Sequence, residues 1–267
     1  MQFPESHSKR IRRRGSILMV LAFLFGASLA PAALGAANAP LRYPNLFGTH
    51  EVRSDMGFSM FPRWASMLAR HEKEKAAADL PCASATRQAC RLQQWLRTLD
   101  GLRDKDKLAQ IREVNRRLNA FPYVKDGARQ SGGRNHWATL GEFLDHSGDC
   151  EDYAIAKFMS LRHIGFSNDD LRVVVLRDIN LRLDHAVVVV YLDGQALVLD
   201  NQARDVVRAG NIRHYRPYYS INETTWWLHV PAAREPTQPR TTPTSAPAPV
   251  AQRAATTPTH LADTRLK

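Results

Sequence analysis

The sequence predicts an α+β domain, with helices in its first half and a mostly antiparallel sheet in its second. Two observations carry this expectation. Apolar residues recur at helical spacing to about residue 164, and beyond it the period changes to that of β-strands. Asp193-Gly194 then stands between two strand-like runs, which is among the strongest hairpin signals a sequence offers.

Taken in order, the chain opens with an export signal. Lys9, Arg10, Arg12, Arg13 and Arg14 precede the apolar run 17–29, and small residues follow it. That order marks 1–36 as a cleaved signal peptide, since the run is shorter than the roughly 20 residues of a membrane span. The exported chain would keep no segment that inserts directly into a membrane. One domain is expected over 40–232. Residues 234–267 follow as a disordered Pro/Thr/Ala-rich tail with too little apolar surface to offset its ordering entropy.

Within the domain, 61–75, 87–99 and 108–119 read as helices; in the last, Leu108, Ile111, Val114 and Leu118 share a face. Turn-forming residues make 123–136 a loop, and 137–144 reads as a short helix. Gly148-Asp149-Cys150-Glu151-Asp152-Tyr153 opens a further helix, given an apolar face by Ala154, Ile155, Phe158, Met159 and Leu161 and stopped at Gly165. The runs 171–177, 185–192 and 195–200 follow as strands, with a last strand at 224–230.

The formal charge of +11 falls to near +7 once 1–36 is removed. The remaining Lys and Arg are scattered through 91–117 and the tail, not interleaved with aromatics, which argues against nucleic acid as a partner. Of three cysteines, Cys82 and Cys90 lie close together around a loop and are expected to pair in an oxidising compartment. Their spacing does not suit zinc. Cys150 is left over.

Cys150 falls in the first turn of its helix, where unpaired N–H groups and the helix dipole favour a thiolate. A free cysteine is commonly just a small buried hydrophobe. Here Asp149, Glu151 and Asp152 flank it, which reads as a polar helix mouth. These acids also oppose a thiolate beside them. They are either helix-capping residues or part of a cation site, and hard oxygen ligands select Ca²⁺ over zinc.

The hairpin supplies partners for the thiol. With Asp193-Gly194 as a two-residue turn, Leu192 faces Gln195 and Val187 faces Asp200, so His185 and Asp200 share one face of the sheet. A base that takes the thiol proton and a carboxylate that fixes its tautomer complete a nucleophilic set: Cys150, His185 and Asp200. His136, His146 and His163 are rival bases without this geometric agreement.

The motif 148–157, with Trp137-Ala138-Thr139 and Glu142-Phe143 before it, closely resembles the LapG-type bacterial transglutaminase-like cysteine proteases. His185-Ala186-Val187, Leu197-Val198-Leu199-Asp200-Asn201, Tyr219-Ser220-Ile221-Asn222 and Trp226-Trp227-Leu228 resemble its later blocks, so the likeness runs from about 47 to 230. The resemblance implies a papain-like, transglutaminase-like core and a periplasmic protease with the triad Cys150, His185 and Asp200. It implies calcium held through Asp149 and Glu151. The implied substrate is a large surface adhesin, cut near paired alanines in its N-terminal region to release cells from a biofilm. The implied regulator is an inner-membrane receptor that senses cyclic di-GMP. Ala186 departs from the family, where a larger apolar residue is usual, and so does the long tail. A transglutaminase-type acyl transferase shares the same triad, and a silent binding module would share the scaffold.

Overall fold

The computed structural model describes residues 43–125 and 136–232. The expected signal peptide and C-terminal tail lie outside the described residues.

Five helices form the first half. Helix α1 (Pro62–Ala78) begins on a proline, whose missing N–H costs nothing in the first turn. Trp64, Met67 and His71 make its buried stripe. Thr86 caps α2 (Arg87–Asp100) by accepting from the Ala89 N–H at 3.2 Å. Cys90 stands in the first turn of α2, not on the loop itself, and is disulfide-bonded to Cys82 on the preceding turn, with Cα atoms 4.9 Å apart. Asp106 caps α3 (Lys107–Leu118) in the same way, accepting from Ala109 at 2.8 Å. Helix α4 (Leu140–His146) opens on a capping box of Thr139 and Glu142.

Helix α5 (Cys150–His163) differs in kind from the others. Every residue from Asp152 to Leu161 is buried, so it is a central helix enclosed on all sides instead of the one-faced helix expected. It ends where Gly165 takes φ +94°, a conformation that side chains disfavour.

The sheet contains β1 (Thr49–Arg53), β2 (Leu171–Asp178), β3 (Leu183–Leu192), β4 (Gln195–Leu199), β5 (Val207–Arg208), β6 (Tyr215–Ile221) and β7 (Trp226–Pro231). Their order is β1-β7-β6-β2-β3-β4-β5, and every pair is antiparallel. Ala186, Val188 and Val190 of β3 belong to the main core with α5, whereas Val187, Val189 and Tyr191 belong to a second core on the other face. The valine-rich run is therefore buried on both faces.

Three strands were not expected. Strand β1, Thr-His-Glu-Val-Arg, is a mostly solvated edge strand with little apolar alternation. Strand β6 carries Pro217, which argues against a central strand. The sheet tolerates it because the β2–β6 register shifts between Val175 and Leu176, leaving Tyr218 as the extra residue beside the proline. The two-residue strand β5 is too short for any periodic signal. The last strand begins at Trp226, later than expected, because the Asn222 side chain accepts from the N–H groups of Thr224 and Thr225 and holds them in a turn.

Candidate active site

Cys150 is the first residue of α5, as expected, and is half-buried. Its three acidic neighbours divide. Asp152 is fully buried and faces inward, accepting from Ala138 N–H at 2.6 Å and from Asp149 N–H at 3.1 Å. It ties the helix start to the preceding segment and does not line an open mouth. Glu151 stays beside the sulfur, and the Cys150 thiol donates to its Oε2 at 3.2 Å.

Electrostatics here oppose ionisation, as the sequence warned. Burial raises the Cys150 pKa, and the charge and hydrogen bond of Glu151 and the charge of Asp149 raise it further. Glu151 is itself raised to about 8, by burial and then by the charge and hydrogen bond of Asp149. The one influence that favours the thiolate is a hydrogen bond from the Ala186 backbone.

That bond follows from the hairpin. Asp193 and Gly194 both have positive φ, 50° and 72°, the pattern of a type I′ turn. The observed register pairs Leu192 with Gln195 and ends at Val188 with Leu199, as derived from the sequence. Ladder bonds alternate along antiparallel strands, so Leu192, Val190 and Val188 point their N–H groups toward β4, and Ala186 is next in that series. Strand β4 has ended by then, so no β4 residue pairs with Ala186.

His185 and Asp200 do share a face. His185 Nε2 and Asp200 Oδ1 are 2.9 Å apart, and both side chains are buried. By alternation this is the face of Val187 and Val198, within the second core, opposite the one α5 mainly covers. Cys150 packs against the main core, so the thiol and the pair do not share an open face of the sheet. His185 Nδ1 is buried without a hydrogen-bond partner among the described residues, and a base needs such a lone pair. Burial works to raise the Asp200 pKa, but hydrogen bonds from His185, Tyr215 and the Gln202 backbone outweigh it and hold the carboxyl below its usual range.

The rival histidines are engaged elsewhere. His136 lies 2.9 Å from Glu142, His163 lies 2.9 Å from Asp100, and His146 lies 3.5 Å from Asp145. Two residues without an expected role bear on Asp200, one by contact and one by charge. Tyr215, at the start of the unexpected β6, donates to Asp200 Oδ2. Lys157, inside the cysteine motif, is fully buried, and its Nζ has no hydrogen-bond partner among the described residues. Its ammonium stands 5.8 Å from the Tyr153 ring, and Asp200 is the charge that favours its protonation. Among the described residues no group of three or more His, Cys, Asp or Glu side chains is gathered for a metal.

A free thiol at a helix start and a buried imidazole–carboxylate pair, on an α+β core with an antiparallel sheet, fit the class of transglutaminase-like cysteine proteases. The chain belongs to the bacterial transglutaminase-like cysteine proteinase family, whose model matches residues 81–234. It is a cysteine protease. Calcium-bound LapG of Legionella pneumophila is 28% identical with a TM-score of 0.50, over 59% of this chain and 87% of LapG. EGTA-treated LapG matches at 28% identity and a TM-score of 0.49, over 59% of this chain and 84% of that one. No match is found among curated proteins.

Proposed function

We propose that the chain is a periplasmic, calcium-dependent endopeptidase that uses Cys150 as nucleophile, His185 as base and Asp200 as the orienting carboxylate. The observation that carries this reading is the buried His185–Asp200 bond, in a chain whose one free cysteine among the described residues opens α5. His185 Nδ1 takes the thiol proton, and the thiolate attacks the scissile carbonyl. The imidazolium then returns its proton to the leaving amine as the acyl-enzyme forms, and water, deprotonated by the same nitrogen, releases the acid. Asp200 holds the other ring nitrogen throughout, keeping the base in its productive tautomer.

Asp149 and Glu151 would hold calcium. Burial and the Asp149 charge raise the Glu151 carboxyl to about 8 beside the Cys150 thiol, and crowded carboxylates are a hard-oxygen donor set. They would contribute part of a shell of about six to eight oxygens. When bound, the ion supplies positive charge that offsets these carboxylates. The calcium-bound LapG relative supports this reading.

The Cys82–Cys90 disulfide supports an oxidising compartment. Among the described residues no helix is long and apolar enough to cross a membrane. In line with the family resemblance, the substrate is the N-terminal region of a large surface adhesin, cut near paired alanines to release cells from a biofilm. A cyclic-di-GMP-sensing inner-membrane receptor controls the protease. Mixing the purified chain with that adhesin region tests this. Two fragments joined at an alanine pair are expected with the parent chain and none with Cys150→Ala. Incorporation of a labelled amine without cleavage would favour acyl transfer instead.

A further inference from the structure

We propose that Tyr215 is a positioning residue of this site, pinning the second oxygen of Asp200 so that His185 keeps its Nδ1 lone pair directed to the thiol. The proposal deepens the triad reading above and rests on it.

Three donors meet the Asp200 carboxylate. His185 Nε2 and the Gln202 backbone N–H both reach Oδ1 at 2.9 Å, and the Tyr215 hydroxyl donates to Oδ2. Without Tyr215, both donors would sit on one oxygen and the carboxylate would be free to turn about its Cβ–Cγ bond. Asp200 lies just past the end of β4, where the ladder no longer constrains it. Its backbone carbonyl is held by Asn119 Nδ2 at 2.9 Å, which fixes the main chain and leaves the side-chain torsion to Tyr215.

The tyrosine is itself held independently of that bond. It opens β6 opposite Asp178, and its ring packs edge-on against Phe47 at 5.4 Å, His214 at 4.6 Å and His185 at 6.1 Å. A buried phenol needs a polar partner, and Asp200 is the one it has. Burial and the Asp200 charge both raise the Tyr215 pKa, so the hydroxyl remains a donor over the working range. Tyr215 and Asp200 also line a cleft of about 450 Å³ with Val198, Gln202 and Ile212. Losing the hydroxyl would leave the carboxylate facing that cleft, where water competes for Oδ2.

Tyr215→Phe removes the hydroxyl and keeps the ring contacts. In the full chain its melting temperature should fall by only several degrees, with the fold retained. Alkylation of Cys150 by iodoacetamide at neutral pH should slow by about tenfold or more, the scale of one hydrogen bond to a charged group. ¹⁵N-histidine NMR should show His185 as the Nε2–H tautomer in the parent and as a mixture in the variant. Unchanged alkylation and an unchanged tautomer would overturn the proposal. His185→Gln separates this from the parent reading. If that variant alkylates as fast as the parent chain, the triad itself falls; if it is slow while Tyr215→Phe is not, only the role of Tyr215 falls. Should Tyr215→Phe fail to fold, hydroxyl-proton exchange in the parent chain decides. A protected Tyr215 proton supports the proposal, and exchange like that of an exposed phenol overturns it.

Discussion

In the proposed mechanism Cys150 loses a proton in surroundings that hold it on, and Lys157 must carry or shed one with no hydrogen-bond partner among the described residues. Burial lowers the Lys157 pKa from 10.5 to about 7. The folded value therefore lies below the unfolded one. Above about 10.5 neither state is charged and the cost of burying the charge is absent. As pH falls from there toward about 7, only the unfolded chain takes up the proton, and stability declines across that window. Lys157→Met should consequently stabilise the protein by several kcal/mol near neutral pH, on the order of the shift converted at ~1.4 kcal/mol per unit. The gain should shrink markedly at strongly alkaline pH in urea melts compared across pH; a gain of the same size at every pH would refute this account. The conflict at Cys150 was legible from its acidic neighbours. Lys157 was not, because nothing in a helical motif says which of its charged residues faces inward.

At the scale of elements, the hairpin carries the site. Gly194 has φ +72° with open space around it, so its constraint is backbone conformation, not packing. Gly194→Val should cost about 1–2 kcal/mol through left-handed strain. It should also lower activity, because the same turn sets the register that puts Val187 opposite Asp200 and hence Asp200 beside His185. Gly194→Ala should do less harm than valine, since a β-branched side chain tolerates positive φ worst. Thermal melts with parallel activity assays check both, and equal effects of the two variants would remove the turn argument. The hairpin was readable because turn chemistry and alternation agreed. Strand β6 was not readable, because Pro217 and the bulge at Tyr218 break the alternation that marks a strand. Missing β6 also hid Tyr215, since the sequence offered no element on which to place it.

Across the whole molecule, the account joins a central helix, a sheet and one cluster of negative charge. The α+β class, the helix that begins at Cys150 and the shared face of His185 and Asp200 were all legible, because each rests on local periodicity. Where Cys150 sits relative to the pair was not legible, because it depends on how α5 packs on the sheet, a long-range fact. If Asp149 and Glu151 hold calcium, EGTA should stop cleavage and Ca²⁺ should restore it where Mg²⁺ does not, since the smaller ion demands tighter octahedral geometry. Asp149→Ala and Glu151→Ala should lose calcium binding and activity together, measured by calorimetry and a cleavage assay. Were these acids only helix caps, each variant would lose about 1 kcal/mol of stability and stay active. The most direct test of the central claim is proteolysis by Cys150→Ala beside the parent chain, with both melting curves recorded. The account predicts that cleavage disappears while the melting temperature scarcely moves, because a half-buried thiol contributes little to packing. Undiminished cleavage by Cys150→Ala would contradict it.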